Sequence, residues 1–131
     1  MIWMSTARLL ASRSIDPRTK VGCVIVTGDN SQVLAVGYNG DQKGGTNMVE
    51  SDEPGKSGTI HAEENALIKC DFSSHKEKIM YLTVSPCDQC AKKIINAEID
   101  EVVYDVEYRI TDGIDRLEAA GIFVRKFKTN E

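Results

Sequence analysis

The chain has 131 residues, enough for one domain (1–131) that buries roughly two thirds of its unfolded surface and needs no disulfide staples. Hydrophobic residues make up 41% and charged residues 27%, no apolar run approaches the ~20 residues that span a bilayer, and no apolar leader with a small-residue cleavage site is visible, so no membrane association is expected and the cytoplasm is the expected compartment. A formal net charge of −4 argues against polynucleotide binding, which draws on many Lys and Arg contacts to phosphate, yet leaves room for one small anion met by two or three basic side chains.

Residues 2–13 set Trp3, Ala7, Leu10 and Ala11 at helical spacing, with Arg8 and Arg13 off that face. This predicts an amphipathic helix closed by Asp16-Pro17, because proline pushes its predecessor out of the helical region. Val21 to Thr27 is a nearly continuous β-branched run, as expected of a strand buried on both faces, and Val33 to Tyr38 is a second strand. Gly28-Asp29-Asn30-Ser31 between them reads as a hairpin turn. Residues 41–59 are polar, carry Gly44, Gly45, Gly55 and Gly58, and predict a long loop of the kind that often serves function.

From Ile60 onward helices and strands alternate: helix 61–70, strand 79–84, helix 88–97, strand 101–105, helix 111–120 and strand 122–127. Gly121 stands where a left-handed C-terminal cap is wanted. A hairpin followed by this alternation implies an α/β fold: a mixed five-stranded sheet, helices on both faces, an N-terminal antiparallel hairpin and parallel later strands joined by helical crossovers.

Two segments hold the chemistry, Thr59-Ile60-His61-Ala62-Glu63-Glu64-Asn65-Ala66-Leu67 and Ser85-Pro86-Cys87-Asp88-Gln89-Cys90-Ala91. A Cys-x-x-Cys pair at a helix start puts two sulfurs one turn apart, where unpaired amides and the helix dipole favour thiolate, the form that binds zinc. Four cysteines, few and unevenly spaced, suit a reducing compartment with thiols free for metal. The remaining donors are His61, His75, Cys23 and Cys70; Cys23 in an apolar strand and Cys70 at a helix end read as small buried hydrophobes. His61 opens a helix, and Glu63 lies too far around that helix to share its metal face. Three ligands, His61, Cys87 and Cys90, plus one open position make a catalytic zinc site, with Glu63 placed to address the metal's water. A thioredoxin-type redox pair is the alternative, but such a pair follows the first strand of its unit and this one follows the third.

In these residues the chain resembles the cytidine and deoxycytidylate deaminase superfamily over almost its whole length. It is most similar to the deoxycytidylate (dCMP) deaminase branch through Pro17-Arg18-Thr19-Lys20-Val21-Gly22, Gly37-Tyr38-Asn39-Gly40, the His61 to Ala66 run and the Ser85 to Ala91 run. The resemblance implies the three-layer cytidine-deaminase-like fold and hydrolysis of dCMP to dUMP and ammonia. It implies Glu63 as the group that moves protons from water to the ring nitrogen and the leaving ammonia, a role Glu64 could contest on composition alone. It further implies Asn39 at the sugar, the backbone around Ala62 and Ser85 at the base, and Arg18, Tyr108 and Arg109 at the 5′-phosphate, with Lys20 a second basic candidate. It also implies a homo-oligomer, often a hexamer, activated by dCTP with Mg²⁺ and inhibited by dTTP at Gly37, Tyr38, Asn39 and Gly40, where the glycines let backbone approach a ligand. The short loop 41–59 contains neither Cys nor His, so the second structural zinc of some relatives is not expected.

Two other readings stay open at the level of sequence. One is a deaminase of another base, such as cytidine, a riboflavin-precursor pyrimidine or adenine in RNA; by the family resemblance, the helix 111–120 argues against the free-nucleoside cytidine branch. The other is a non-catalytic zinc module, which has no need of Glu63 or of an open fourth position.

Overall fold

A computed structural model describes residues 2–17, 19–46, 58–73 and 77–129. In chain order the elements are α1 (Ile2–Ala11), β1 (Gly22–Thr27), β2 (Val33–Tyr38), α2 (Ala62–Lys69), β3 (Lys78–Val84), α3 (Asp88–Asn96), β4 (Glu101–Val106), α4 (Asp112–Ala119) and β5 (Phe123–Lys126). The strands form one five-stranded sheet in the order β2-β1-β3-β4-β5. β1 is antiparallel to both neighbours, pairing Gly22 with Tyr38 on one side and Cys23 with Leu82 on the other, while β3, β4 and β5 run parallel.

The strand pattern explains the layers. All six residues of β1 are buried, because successive side chains go to opposite, equally covered faces. Cys23 and Ile25 join Met80, Leu82 and Val102 beneath α2, α3 and α4. Val24 and Val26 join Ile79, Tyr81 and Val103 beneath α1 and Phe127. The expected three layers are present, with one helix on one face and three on the other.

Two expectations need correction at α1. The centre of its buried face is Met4, Ala7 and Ala11, while Trp3 and Leu10 pack at the margin. The helix also stops at Ala11, well before Asp16-Pro17. The Ser12 hydroxyl donates to the Leu9 carbonyl at 2.5 Å, and the amides of Ser12, Arg13 and Ser14 each reach back only three residues, so the chain tightens and leaves the helix before proline can act. At the other end of the chain, Gly121 takes φ +87° and donates to Glu118 while Ile122 donates to Leu117, the paired bonds of a left-handed helix cap. No helix among the described residues is long and apolar enough to cross a membrane.

Candidate metal centre

Parallel strands direct their carboxyl ends to one edge of the sheet, and two helix starts meet there. β3 runs out through Ser85 and Pro86 into Cys87, the N-cap of α3, whose extended backbone turns its sulfur back to accept the Cys90 amide at 3.4 Å. α2 begins at His61, also an extended N-cap, just after Ile60 pairs with Gly40 through amide bonds of 2.7 and 3.1 Å. His61 Nδ1 lies 3.2 Å from Cys90 Sγ and 3.6 Å from Cys87 Sγ.

These separations fit a shared tetrahedral ion. Zn–N and Zn–S bonds of the usual length at a tetrahedral angle place nitrogen and sulfur about 3.6 Å apart. All three donor atoms lie within 4.8 Å of one another, and this is the group of its kind among the described residues. Cys90 is buried, Cys87 half-buried and His61 exposed, so the set is closed on one side and faces the surface on the other. Cys23 and Cys70 are core members, as the sequence suggested, and His75 lies outside the described residues.

Electrostatics separates neighbouring groups into different charge states. The Cys87 thiol is pulled down to about 4 by the hydrogen bond from the Cys90 thiol, then by His61 and the Cys90 amide, while Cys90 is pushed up by the same bond and by burial. The two sulfurs thus hold one proton between them, which a divalent cation would release. The Cys87 contact also raises His61 against the opposing effect of its burial. Glu63 is 5% exposed, and burial pushes its carboxyl up to about 7 against its own backbone amide and His61, which act the other way. Glu64 is the opposite case: partial burial would raise it, but Lys93 and the His61 amide hold it below the ordinary carboxylate range. Its carboxylate accepts from Lys93 Nζ and, at 3.3 Å, from the His61 amide.

The remaining candidates fall into two groups around this centre. Ala62 and Ser85 are buried beside the ligands, and the Ser85 hydroxyl accepts the Tyr108 amide at 2.7 Å, drawing the segment after β4 toward the site. Arg109 is exposed, with its guanidinium 5.8 Å from the centre of the Tyr108 ring and no ion pair among the described residues. Arg18 lies outside the described residues, but its flanks do not: Asn39 accepts from the Val21 amide at 2.9 Å and donates to the Thr19 carbonyl at 2.8 Å, around the exposed Lys20. Asn39 is 6% exposed and spends its carbonyl oxygen and one N–H on this backbone, leaving one N–H for any other partner.

At the end of β2, what approaches Gly37 closely is α2: a Cβ there would stand 2.5 Å from the Ala62 oxygen and 2.7 Å from the Ala66 nitrogen. Gly40 has no such neighbour, its nearest atom being a Tyr38 ring carbon at 3.9 Å. The Tyr38 ring lies 6.0 Å from the Arg13 guanidinium, and the Tyr38 carbonyl accepts from the Asn65 side chain at 2.9 Å. The Gly37 to Gly40 run is therefore tied to α2 by Asn65 and to residues 19–21 by Asn39.

Sequence reasoning missed three supports. Lys93 reaches Glu64 across the two ligand helices, and Arg116 grips Asp88 through Nε at 2.6 Å and Nη2 at 3.2 Å, linking α4 to α3. Neither pair has a local signature, since the partners are 29 and 28 residues apart. Gly113 had one: a glycine inside a helical pattern is costly unless something needs the space. The Pro86 carbonyl fills that space, 2.1 Å from where a Cβ would stand.

A family model for the cytidine and deoxycytidylate deaminase zinc-binding region matches residues 2–106. Deoxycytidylate deaminase of Schizosaccharomyces pombe is 34% identical over 95% of this chain and 42% of its own length, and that of Homo sapiens is 34% identical over 95% of this chain and 77% of its own. The chain spans about half the length of the yeast and fly relatives it matches. Among solved structures, the dCMP deaminase of the cyanophage S-TIM5, crystallised with dCMP and dUMP, is 39% identical, covers 96% of this chain and 94% of its own, and superposes with a TM-score of 0.83.

Proposed function

The chain belongs to the cytidine and deoxycytidylate deaminase family, and on that footing we propose that it hydrolyses dCMP to dUMP and ammonia. The observation that carries this reading is the meeting of His61, Cys87 and Cys90 at two helix starts, with the buried carboxyl of Glu63 two residues past His61 on α2. Similarity to a phage enzyme crystallised with dCMP and dUMP supports the choice of nucleotide.

His61, Cys87 and Cys90 would hold the ion. One zinc in that set supplies a Lewis acid that makes water nucleophilic near neutral pH. Glu63 accepts a proton from the attacking water and delivers it to ring N3 as oxygen adds to C4, then takes the remaining proton of the new C4 hydroxyl and passes it to the amino group as C4=O forms, the C4–N bond breaks and ammonia leaves. Its burial suits this work, because burial raises the proton affinity of a carboxyl toward the range in which it both takes and returns a proton. The buried backbone at Ala62 and Ser85 orients the base, and the remaining Asn39 N–H meets the sugar. Arg109, with Arg18, meets the 5′-phosphate, a task for which a planar guanidinium fits better than Lys20.

Control is part of the proposal. In a homo-oligomer, a hexamer by family likeness, dCTP with Mg²⁺ would activate and dTTP inhibit through Gly37, Tyr38, Asn39 and Gly40. The ties of that segment to α2 and to residues 19–21 support it, since one segment then touches both the catalytic helix and the flanks of Arg18. The cytoplasm is the proposed compartment.

Ammonia release from dCMP, deoxycytidine, CMP and cytidine tests the reading. Turnover of dCMP well above the other three supports it. Equal efficiency on deoxycytidine removes the phosphate clamp, and no release from any of them removes the activity.

A further inference from the structure

The two helices that carry the ligands come from distant parts of the chain: His61 is 29 residues from Cys90 and 26 from Cys87. Their starts must nevertheless keep an imidazole and two sulfurs within about a bond length of a common point. Along the main chain, the α2 N-cap is preceded by one isolated bridge, Ile60 with Gly40, which ties it to the end of β2 and not to α3.

One set of side-chain contacts spans the gap. Lys93 sits three residues after Cys90, one turn along α3, and its ammonium donates to Glu64 Oε2. The other oxygen of the same carboxylate, Oε1, accepts the backbone amide of His61 at 3.3 Å. Both oxygens of Glu64 are thereby engaged, one by the cysteine helix and one by the main chain of the histidine ligand. With its amide held by the residue three further on, as in a capping box, the His61 backbone is tied to the first turn of α2. The contacts thus link the turn bearing Cys90 to the backbone that aims the His61 ring.

We propose that Lys93 and Glu64 form a strut that sets the spacing between His61 and Cys90, acting as positioning residues for the metal and not as participants in the reaction. The inference rests on the metal-site reading given above and is independent of which nucleotide is the substrate. It also gives Glu64 work of its own beside Glu63. Their side chains are 26% (Glu64) and 47% (Lys93) exposed, so as an ordinary surface ion pair they would contribute little to global stability. The Arg8–Asp105 pair, on the α1 face of the sheet, is the matching control at 42% and 25%.

The test is zinc transfer from the loaded protein to a chromophoric chelator, with thermal unfolding and steady-state kinetics alongside. Lys93→Met and Glu64→Gln are expected to release zinc about tenfold faster than wild type, in line with the effect of removing groups that orient metal ligands. Lys93→Arg should stay near wild type because it keeps the charge, and the double variant should be no faster than the faster single, since the two residues act as one unit. Expected kinetics are a lower kcat with an unchanged KM, at a nearly unchanged unfolding midpoint, and Arg8→Met should match wild type throughout. Wild-type release rates in both singles would overturn the strut while leaving the metal site standing. Effects that multiply in the double, or equal acceleration in Arg8→Met, would overturn it as well. A wild-type protein that takes up no zinc would remove the metal reading and the strut together.

Discussion

Glu63 and Glu64 are adjacent carboxyls on one helix turn, and their environments drive them apart. Burial raises Glu63 to about 7, whereas Lys93 and the His61 amide keep Glu64 ionised despite its own partial burial. Two titratable neighbours whose proton affinities are pushed apart divide the labour of a site, one able to exchange protons and the other staying charged. Glu63→Gln preserves volume and leaves His61, Cys87 and Cys90 untouched. It should retain zinc by metal analysis while turnover of dCMP falls by roughly 10²- to 10⁴-fold or more, the usual worth of a general acid–base group. Substantial residual turnover would hand the proton transfer to another residue. Cys90→Ala removes the buried member of the donor set and should leave the purified protein with little zinc; full occupancy in that variant would mean the ion is held elsewhere.

At the scale of elements, the site depends on helices seated against a loop at the carboxyl edge of the sheet. The start of α4 is pressed onto the Pro86–Cys87 segment so closely that Gly113 has room for no side chain, and Arg116 ties the same helix to Asp88. Gly113→Ala must displace either α4 or the loop that aims Cys87, so it should cost about 1–3 kcal/mol, read as a lower denaturation midpoint, and weaken zinc retention. A variant with wild-type stability and zinc content would show that the contact relaxes freely. Ser85 performs a related task for the segment after β4, holding Tyr108 by its amide. Ser85→Ala removes that acceptor and should raise KM for dCMP several-fold, by about 1 kcal/mol for one hydrogen bond, with less effect on deoxycytidine. Equal loss on both substrates would place Ser85 at the base alone.

At the scale of the whole molecule, an acidic protein with a net charge of −4 is proposed to bind an anionic nucleotide, so a few local cations must overcome an unfavourable overall field. Arg109 is the cation proposed for this; it is exposed beside Tyr108 with no ion pair among the described residues. Arg109→Ala should reduce kcat/KM for dCMP by roughly tenfold or more, as for the loss of a charge-assisted contact of about 1.5–3 kcal/mol, while deoxycytidine turnover is unaffected. An unchanged dCMP efficiency would remove Arg109 from the phosphate site. Initial rates with and without dCTP, dTTP and Mg²⁺ test control at the same scale. Hyperbolic kinetics insensitive to both nucleotides would leave the Gly37 to Gly40 run as a structural junction between β2, α2 and residues 19–21.

The order of elements was readable in the sequence because each rests on local chemistry. The β-branched run of β1, the two helix starts and Gly121 all behave as their neighbours along the chain dictate. His61 with Cys87 and Cys90 was readable for the same reason: a ligand at a helix start carries its own signature of spacing and residue type. Where α1 ends was misread although its signal is local: the Ser12 hydroxyl takes the Leu9 carbonyl three residues back, ahead of the proline expected to close the helix. What was not readable was the assignment of Gly37 to helix packing, of Asn39 to the backbone at Thr19 and Val21, or of Lys93 to Glu64. Each of these joins residues 18 or more positions apart, through contacts that exist only once sheet and helices are assembled. The sequence by itself determined which groups could do the chemistry; tertiary structure decided which groups hold them in place, because positioning is a relation between distant segments and leaves no pattern within either one.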